Sequence, residues 1–143
     1  MGLPRLVNTV LDGTDIRRLA EFYRELLGLT YRPGDEPPTD GDERPEWLVL
    51  CTGEGERLLA FQRVDELPRT TWPSVEVPMQ LHLCFIVDDA DDLDAQCDRA
   101  RDLGAELLLY RTDDPEEILY VLADPAGHPF CLYSHPRAAM TGG

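Results

Sequence analysis

The sequence predicts an α+β domain made of two tandem βαβββ modules that form a curved mixed sheet around a cleft, with the helices outside. Three observations lead there. Short runs with period-two apolar alternation make up most of the chain, and a helical period holds in only two stretches. The order strand, helix, strand, strand, strand occurs twice, and Gly28 and Gly104 close the two helices at matching places. Each helix can cover only one face of its sheet, so each module has a second face that must find a partner.

The first module spans residues 3–64. Leu3 to Leu11 alternates as a strand, and Asp12-Gly13-Thr14-Asp15 is turn chemistry leading into a helix, with Thr14 or Asp15 as the cap. Ile16, Leu19, Ala20, Tyr23, Leu26 and Leu27 make one apolar face, widened by Phe22, and Arg17, Arg18, Glu21, Arg24 and Glu25 are expected in solvent. Gly28 stops the helix. Leu29 to Arg32 is a short strand. Pro33 to Pro45, rich in Gly, Pro and Asp, is expected to be a mobile loop. Glu46 to Thr52 and Arg57 to Val64 form a hairpin across Gly53-Glu54-Gly55-Glu56.

Residues 65–78 read as a linker. The second module, residues 79–135, repeats the plan. Strand Met79 to Val87 carries Leu81, Leu83, Phe85 and Val87 on one side and His82, Cys84 and Ile86 on the other. The acidic run Asp88 to Asp92 suits the positive end of a helix. That helix places Leu93, Cys97, Ala100 and Leu103 on one face and ends at Gly104. Strands follow over Ala105 to Arg111, Glu117 to Ala123 and Pro129 to Ser134, separated by a turn at Thr112 to Glu116 and by the Asp124-Pro125-Ala126-Gly127-His128 turn. Residues 136–143 read as a loose tail.

The formal net charge is -15, from 28 acidic and 13 basic residues. Such a surface repels phosphate backbones and excludes nucleic acid as a partner. It favours a cationic ligand at long range. No apolar run approaches the length of a membrane span, and Met1 to Val10 lacks the pattern of a signal peptide, so a cytoplasmic protein is expected. Cys51, Cys84, Cys97 and Cys131 contain no CxxC pair and read as buried reduced thiols.

His82 holds the place in the second opening strand that Asn8 holds in the first. The wall of a small-ligand cleft is expected to use Asn8, Gln62, His82 and Cys131 for polar contacts and Trp47, Trp72 and Tyr110 for apolar ones. His82 is the candidate general acid/base, and an imidazole near the Cys131 thiol would favour its thiolate. His128 reads as a turn residue, and His135 has no role. The acidic pairs Asp88-Asp89, Asp91-Asp92, Asp113-Asp114 and Glu116-Glu117 read as solvated faces and helix ends.

The βαβββ repeat, the stretch Asp15 to Tyr23 followed by Leu26-Leu27-Gly28, and the stretch Leu122 to Cys131 resemble the vicinal oxygen chelate superfamily. This is the group of glyoxalase I, bleomycin-resistance proteins, fosfomycin-modifying enzymes and extradiol dioxygenases. The Phe130-Cys131 ending resembles its glyoxalase-like subgroup. The resemblance covers Leu6 to Tyr133 and implies a homodimer. In the metal-dependent members, four strand positions supply His and Glu ligands. The corresponding residues here are taken as Asn8, Gln62, His82 and Cys131, a set with no carboxylate. The expectation is therefore a small-molecule-binding protein of the glyoxalase/bleomycin-resistance type with no metal and no cofactor. The alternatives are a lyase or isomerase using His82, a partial His82–Cys131 metal site completed by Glu76 or Asp88, and a pure interaction module.

Overall fold

The computed structural model describes residues 2–111 and 118–134. The predicted turn at Thr112 to Glu116, His135 and the tail lie outside the described residues. The chain divides into two compact units, Met1–Leu67 and Pro68–Gly143, with the division falling inside the predicted linker. Among the described residues no helix is long and apolar enough to cross a membrane.

The first unit contains β1 (Thr9–Gly13), α1 (Ile16–Leu27), β2 (Thr30–Tyr31), β3 (Trp47–Cys51) and β4 (Arg57–Arg63). Its sheet has the order β1-β4-β3-β2, with β1 parallel to β4 and the other pairs antiparallel. α1 starts where the Asp15 carboxylate accepts from the Arg18 N–H at 3.2 Å. It ends at Gly28, whose φ of 68° is the left-handed conformation that a side chain resists. Its buried face is Ile16, Leu19, Ala20, Phe22 and Tyr23. Register places Leu11, Phe61 and Leu48 in one row across three strands, and the Phe61 ring stacks on Tyr23 at 6.1 Å. The opposite face of the same sheet buries Val49, Cys51 and Ala60.

The second unit has the same plan. It contains β5 (Leu83–Ile86), one 3₁₀ turn (Ala90–Asp92), α2 (Leu93–Asp102), β6 (Glu106–Arg111), β7 (Ile118–Ala123) and β8 (Pro129–Ser134). Its sheet order is β5-β8-β7-β6, again with only the opening and closing strands parallel. Phe85, Leu132, Tyr120 and Tyr110 form one cross-strand row. α2 lies on that side: the buried Tyr120 hydroxyl donates to Asp94 of α2, and Tyr110 stacks on Tyr120 at 4.3 Å. Burial first, then the Asp94 carboxylate, raises the Tyr120 pKa far above the ordinary phenol value.

Both opening strands are shorter than predicted. Leu3 to Asn8 and Met79 to His82 keep the apolar alternation but precede the ladders, and Leu6 is 90% exposed. The reason is the partner strand. The β1 ladder starts at Thr9 opposite Leu59, two residues after β4 begins, and the β5 ladder starts at Leu83 opposite Phe130, one residue after β8 begins. Alternation without a hydrogen-bonding neighbour does not make a strand.

Residues 33–45 form a loop without helix or strand, and the departure from expectation lies in Arg17. The Arg17 side chain is expected in solvent but is held against this loop. Its Nε donates to Glu43 at 2.6 Å, one Nη donates to the Asp35 carbonyl at 2.7 Å, and the guanidinium lies 4.9 Å from the Tyr31 ring centroid. Asp35 also accepts from the Val49 N–H at 2.9 Å. Charge-assisted hydrogen bonds thus fasten a segment that has little apolar surface to bury.

The Arg17 hydrogen bond, opposed by burial, holds the Glu43 carboxyl below the ordinary carboxylate range, and Arg24 does the same for Glu21. A lowered carboxyl pKa stabilises the fold above the unfolded value of about 4.3, and that stabilisation is lost as the pH falls through the folded value. Acidification through this range is expected to raise amide hydrogen exchange in residues 33–45 before the sheet amides respond. Glu43→Gln should flatten that pH response, and a wild-type loop whose exchange simply tracks the sheet would refute the anchor.

Candidate functional site

The parallel ladder of β5 and β8 places Cys84 directly beside Cys131. His82 lies two residues upstream of Cys84, just before the ladder begins, and its ring nitrogens come close to the two thiols. The face that carries the thiols is turned away from α2, since Leu132, next to Cys131, shares a row with Tyr120. The potential ligand atoms of His82, Cys84 and Cys131 all lie within 4.8 Å of one another. His82 and Cys84 are exposed and Cys131 is half-buried. Among the described residues, no other group of three or more His, Cys, Asp and Glu side chains converges in this way.

The reading of four buried thiols needs correction. Cys51 and Cys97 are buried, but Cys84 is exposed and Cys131 is half-buried. Burial raises the Cys97 pKa, with Asp98 adding to it, which makes that thiol inert. Cys84 sits on an edge strand and points away from the helix. The sequence signal for it was present: His82-Leu83-Cys84 on a strand puts two ligand-type side chains on one face.

Strand register also revises the correspondence between the modules. Val10 pairs with Ala60 as Cys84 pairs with Cys131, with Asn8 and His82 each two residues upstream. The counterpart of Cys131 is therefore Ala60, and Gln62 stands two residues farther along β4, opposite Asp12 and Trp47. Ala60 offers no donor atom. Histidine and glutamate ligands for a hard divalent ion reduce here to Asn8, Ala60, His82 and Cys131, and this set does not fit such an ion.

The other predicted residues are dispersed. Trp47 and Gln62 are ladder neighbours, both exposed, on the face of the first sheet away from α1. Asn8 lies just before β1, four residues from the level of Gln62. Trp72 is half-buried in a loop fastened by the Thr70 hydroxyl, which donates to the Val77 carbonyl at 2.6 Å. Tyr110 is on the α2 side of its sheet, stacked on Tyr120, and so is on the face opposite His82. His128 serves the turn, its N–H donating to Asp124 at 3.0 Å.

A cavity of about 360 Å³ that the sequence did not suggest lies at the N-terminal end of α1, bordered by Arg17, Arg44 and Arg63. Arg17 is already paired with Glu43, and Arg63 with Glu46 and Asp65.

Comparison with known proteins agrees with this architecture. The glyoxalase-like domain family matches residues 8–133. No curated protein matches the sequence. A glyoxalase/bleomycin resistance protein/dioxygenase family enzyme from Burkholderia phytofirmans superposes with a TM-score of 0.66 at 18% identity, covering 91% of this chain and 98% of that one. The fosfomycin resistance protein FosX from Mesorhizobium loti gives 0.63 at 16%, covering 99% of both chains. FosX from Listeria monocytogenes, solved with Mn(II) and sulfate, gives 0.66 at 15%, covering 95% of this chain and 94% of that one. At such identities these likenesses establish the fold. The repeated topology and the family match together make the chain a glyoxalase-like member of the vicinal oxygen chelate superfamily.

Proposed function

We propose that the protein binds a small organic molecule, cationic by charge complementarity, on the face of the second sheet that carries His82, and that binding needs no hard divalent ion. One observation carries this reading: an exposed imidazole stands on the same strand face as Ile86, which is 49% exposed. An apolar surface with a few polar groups is what a small ligand requires: the apolar part supplies affinity and the imidazole orientation. The net charge of -15 raises the local concentration of cations. The donor set, poor in carboxylates, supports independence from the ion that accompanies the Listeria relative. His82 exposed beside two thiols also favours a second reading, a lyase or isomerase in which His82 moves a proton.

Chelator-treated protein, titrated calorimetrically against cationic antibiotics and metabolites, separates these readings. Binding is expected without added metal, and His82→Ala should weaken it about tenfold, the loss of one good hydrogen bond. A panel with no binder, or with binding only after a hard divalent ion such as Mn²⁺ is added, overturns the proposal. Turnover that His82→Ala abolishes while binding persists would establish the enzyme reading.

A further inference from the structure

We propose that His82, Cys84 and Cys131 form a site for a soft, thiophilic divalent ion of the zinc and cadmium type, held by three protein ligands with a fourth position open. The inference goes beyond the proposed ligand binding: it shares His82 with that reading, and the two thiols, which that reading does not use, carry it.

The geometry comes from the sheet. Parallel neighbours Cys84 and Cys131 start from adjacent backbones, about 4.8 Å apart. His82 is two residues upstream of Cys84, just before the ladder, and its longer side chain reaches toward them. All three ligand atoms fall within 4.8 Å of one another. A tetrahedral ion with bonds of about 2.3 Å to sulfur and about 2.0 Å to nitrogen spaces its ligand atoms roughly 3.5–3.8 Å apart. Closing the remaining distance takes small side-chain rotations, and the exposure of His82 and Cys84 leaves room for them.

The chemistry selects the ion. Two thiolates and a neutral imidazole supply two negative charges, which balance a dication, and both thiols lose their protons on binding. Sulfur ligands favour zinc and cadmium, whereas manganese and magnesium favour oxygen. The site thus differs in kind from a His and Glu set: it lies within one module, and Cys84 has no ligand counterpart in the first, where Val10 stands. Three ligands with an open position is the arrangement that leaves a metal free to take a small ligand.

The test uses the full chain, reduced and chelator-stripped, titrated with Cd²⁺ alone and followed by the thiolate-to-metal charge-transfer absorption in the ultraviolet. One equivalent is expected to saturate the band. Cys84→Ser and Cys131→Ser should each weaken binding on the order of a hundredfold or more, and His82→Ala should weaken it less. Excess Mn²⁺ should not compete. Thermal melting of each variant establishes that it is folded, and Cys84, being exposed, tolerates serine. The absence of a band at one equivalent, a band that survives Cys84→Ser in folded protein, or displacement by Mn²⁺ overturns the proposal. Because no organic ligand is present, a negative result leaves the proposed function standing.

Discussion

Phe61→Ala is expected to cost about 3–5 kcal/mol, as large aromatic truncations in rigid cores do. Phe61 has no exposed surface. It lies on β4, which is hydrogen-bonded on both sides, so its backbone cannot shift toward a cavity without breaking two ladders. Leu11 and Leu48 flank it in the cross-strand row, and Tyr23 closes over it from α1. A hole in the middle of such a row has no loose neighbour to fill it. Domains of this size have about 5–15 kcal/mol of stability, so the variant would be near its threshold at 25 °C. Phe61→Leu keeps most of the volume and should cost much less, about 1–2 kcal/mol. Urea titrations of the two variants measure both numbers. A cost below about 1 kcal/mol for Phe61→Ala would mean that the row can collapse, contrary to a rigid packed sheet.

The same row shows what the sequence could say. Tyr23 was legible on the apolar face of α1 because its period is local, whereas Leu11 and Phe61 were legible only as strand residues, and the side of the sheet that Phe61 takes, under Tyr23, was not. Gly28 was legible because a single residue type fits the left-handed cap, and the repeat was legible because two modules solve the same burial problem. The extents of β1 and β5 were not. They depend on where β4 and β8 begin, information held some fifty residues away. The anchoring of residues 33–45 escaped for a related reason. Composition counts apolar surface, whereas Arg17 fastens this loop through Glu43 and the Asp35 carbonyl, partners that only the fold brings near.

The candidate site was legible on one strand and not across two. His82 stood out as a lone histidine on a strand face, and Cys131 through the closing-strand motif. Cys84 shares the face of His82, but burial statistics for cysteine pulled its reading toward the core. Its exposure follows from the position of β5 at the sheet edge, with only β8 beside it. The error over Gln62 has the same origin. Matching Phe61-Gln62 to Phe130-Cys131 by residue type gives one alignment, and hydrogen-bond register gives another, displaced by two residues. A displacement of two keeps the side chain on the same face, so polarity alone does not reveal it.

Asp124→Ala is expected to be nearly as damaging as the loss of Phe61, about 2–4 kcal/mol, through a polar mechanism. The carboxylate is 1% exposed and lies at the corner between β7 and β8. One oxygen accepts from the Ala126 N–H at 2.9 Å and from the His128 N–H at 3.0 Å, and the Asp124 N–H donates to the His128 carbonyl at 2.9 Å. Alanine would leave two backbone donors without their acceptor at a place largely closed to water. Asparagine keeps an oxygen in position, so Asp124→Asn should cost only about 1 kcal/mol, the difference between a charged and a neutral acceptor. The consequence reaches the candidate site because this turn delivers the chain into Pro129, the first residue of β8, and so sets Leu83 against Phe130 and Cys84 against Cys131. A loosened turn frays β8 from the end where Cys131 lies. Denaturation and Cd²⁺ titration on the same two variants should therefore move together: Asp124→Ala loses stability and metal affinity, and Asp124→Asn keeps most of both. Metal affinity unchanged in Asp124→Ala, despite lost stability, would show that the level of Cys131 is held by the ladder to β7 and not by the turn.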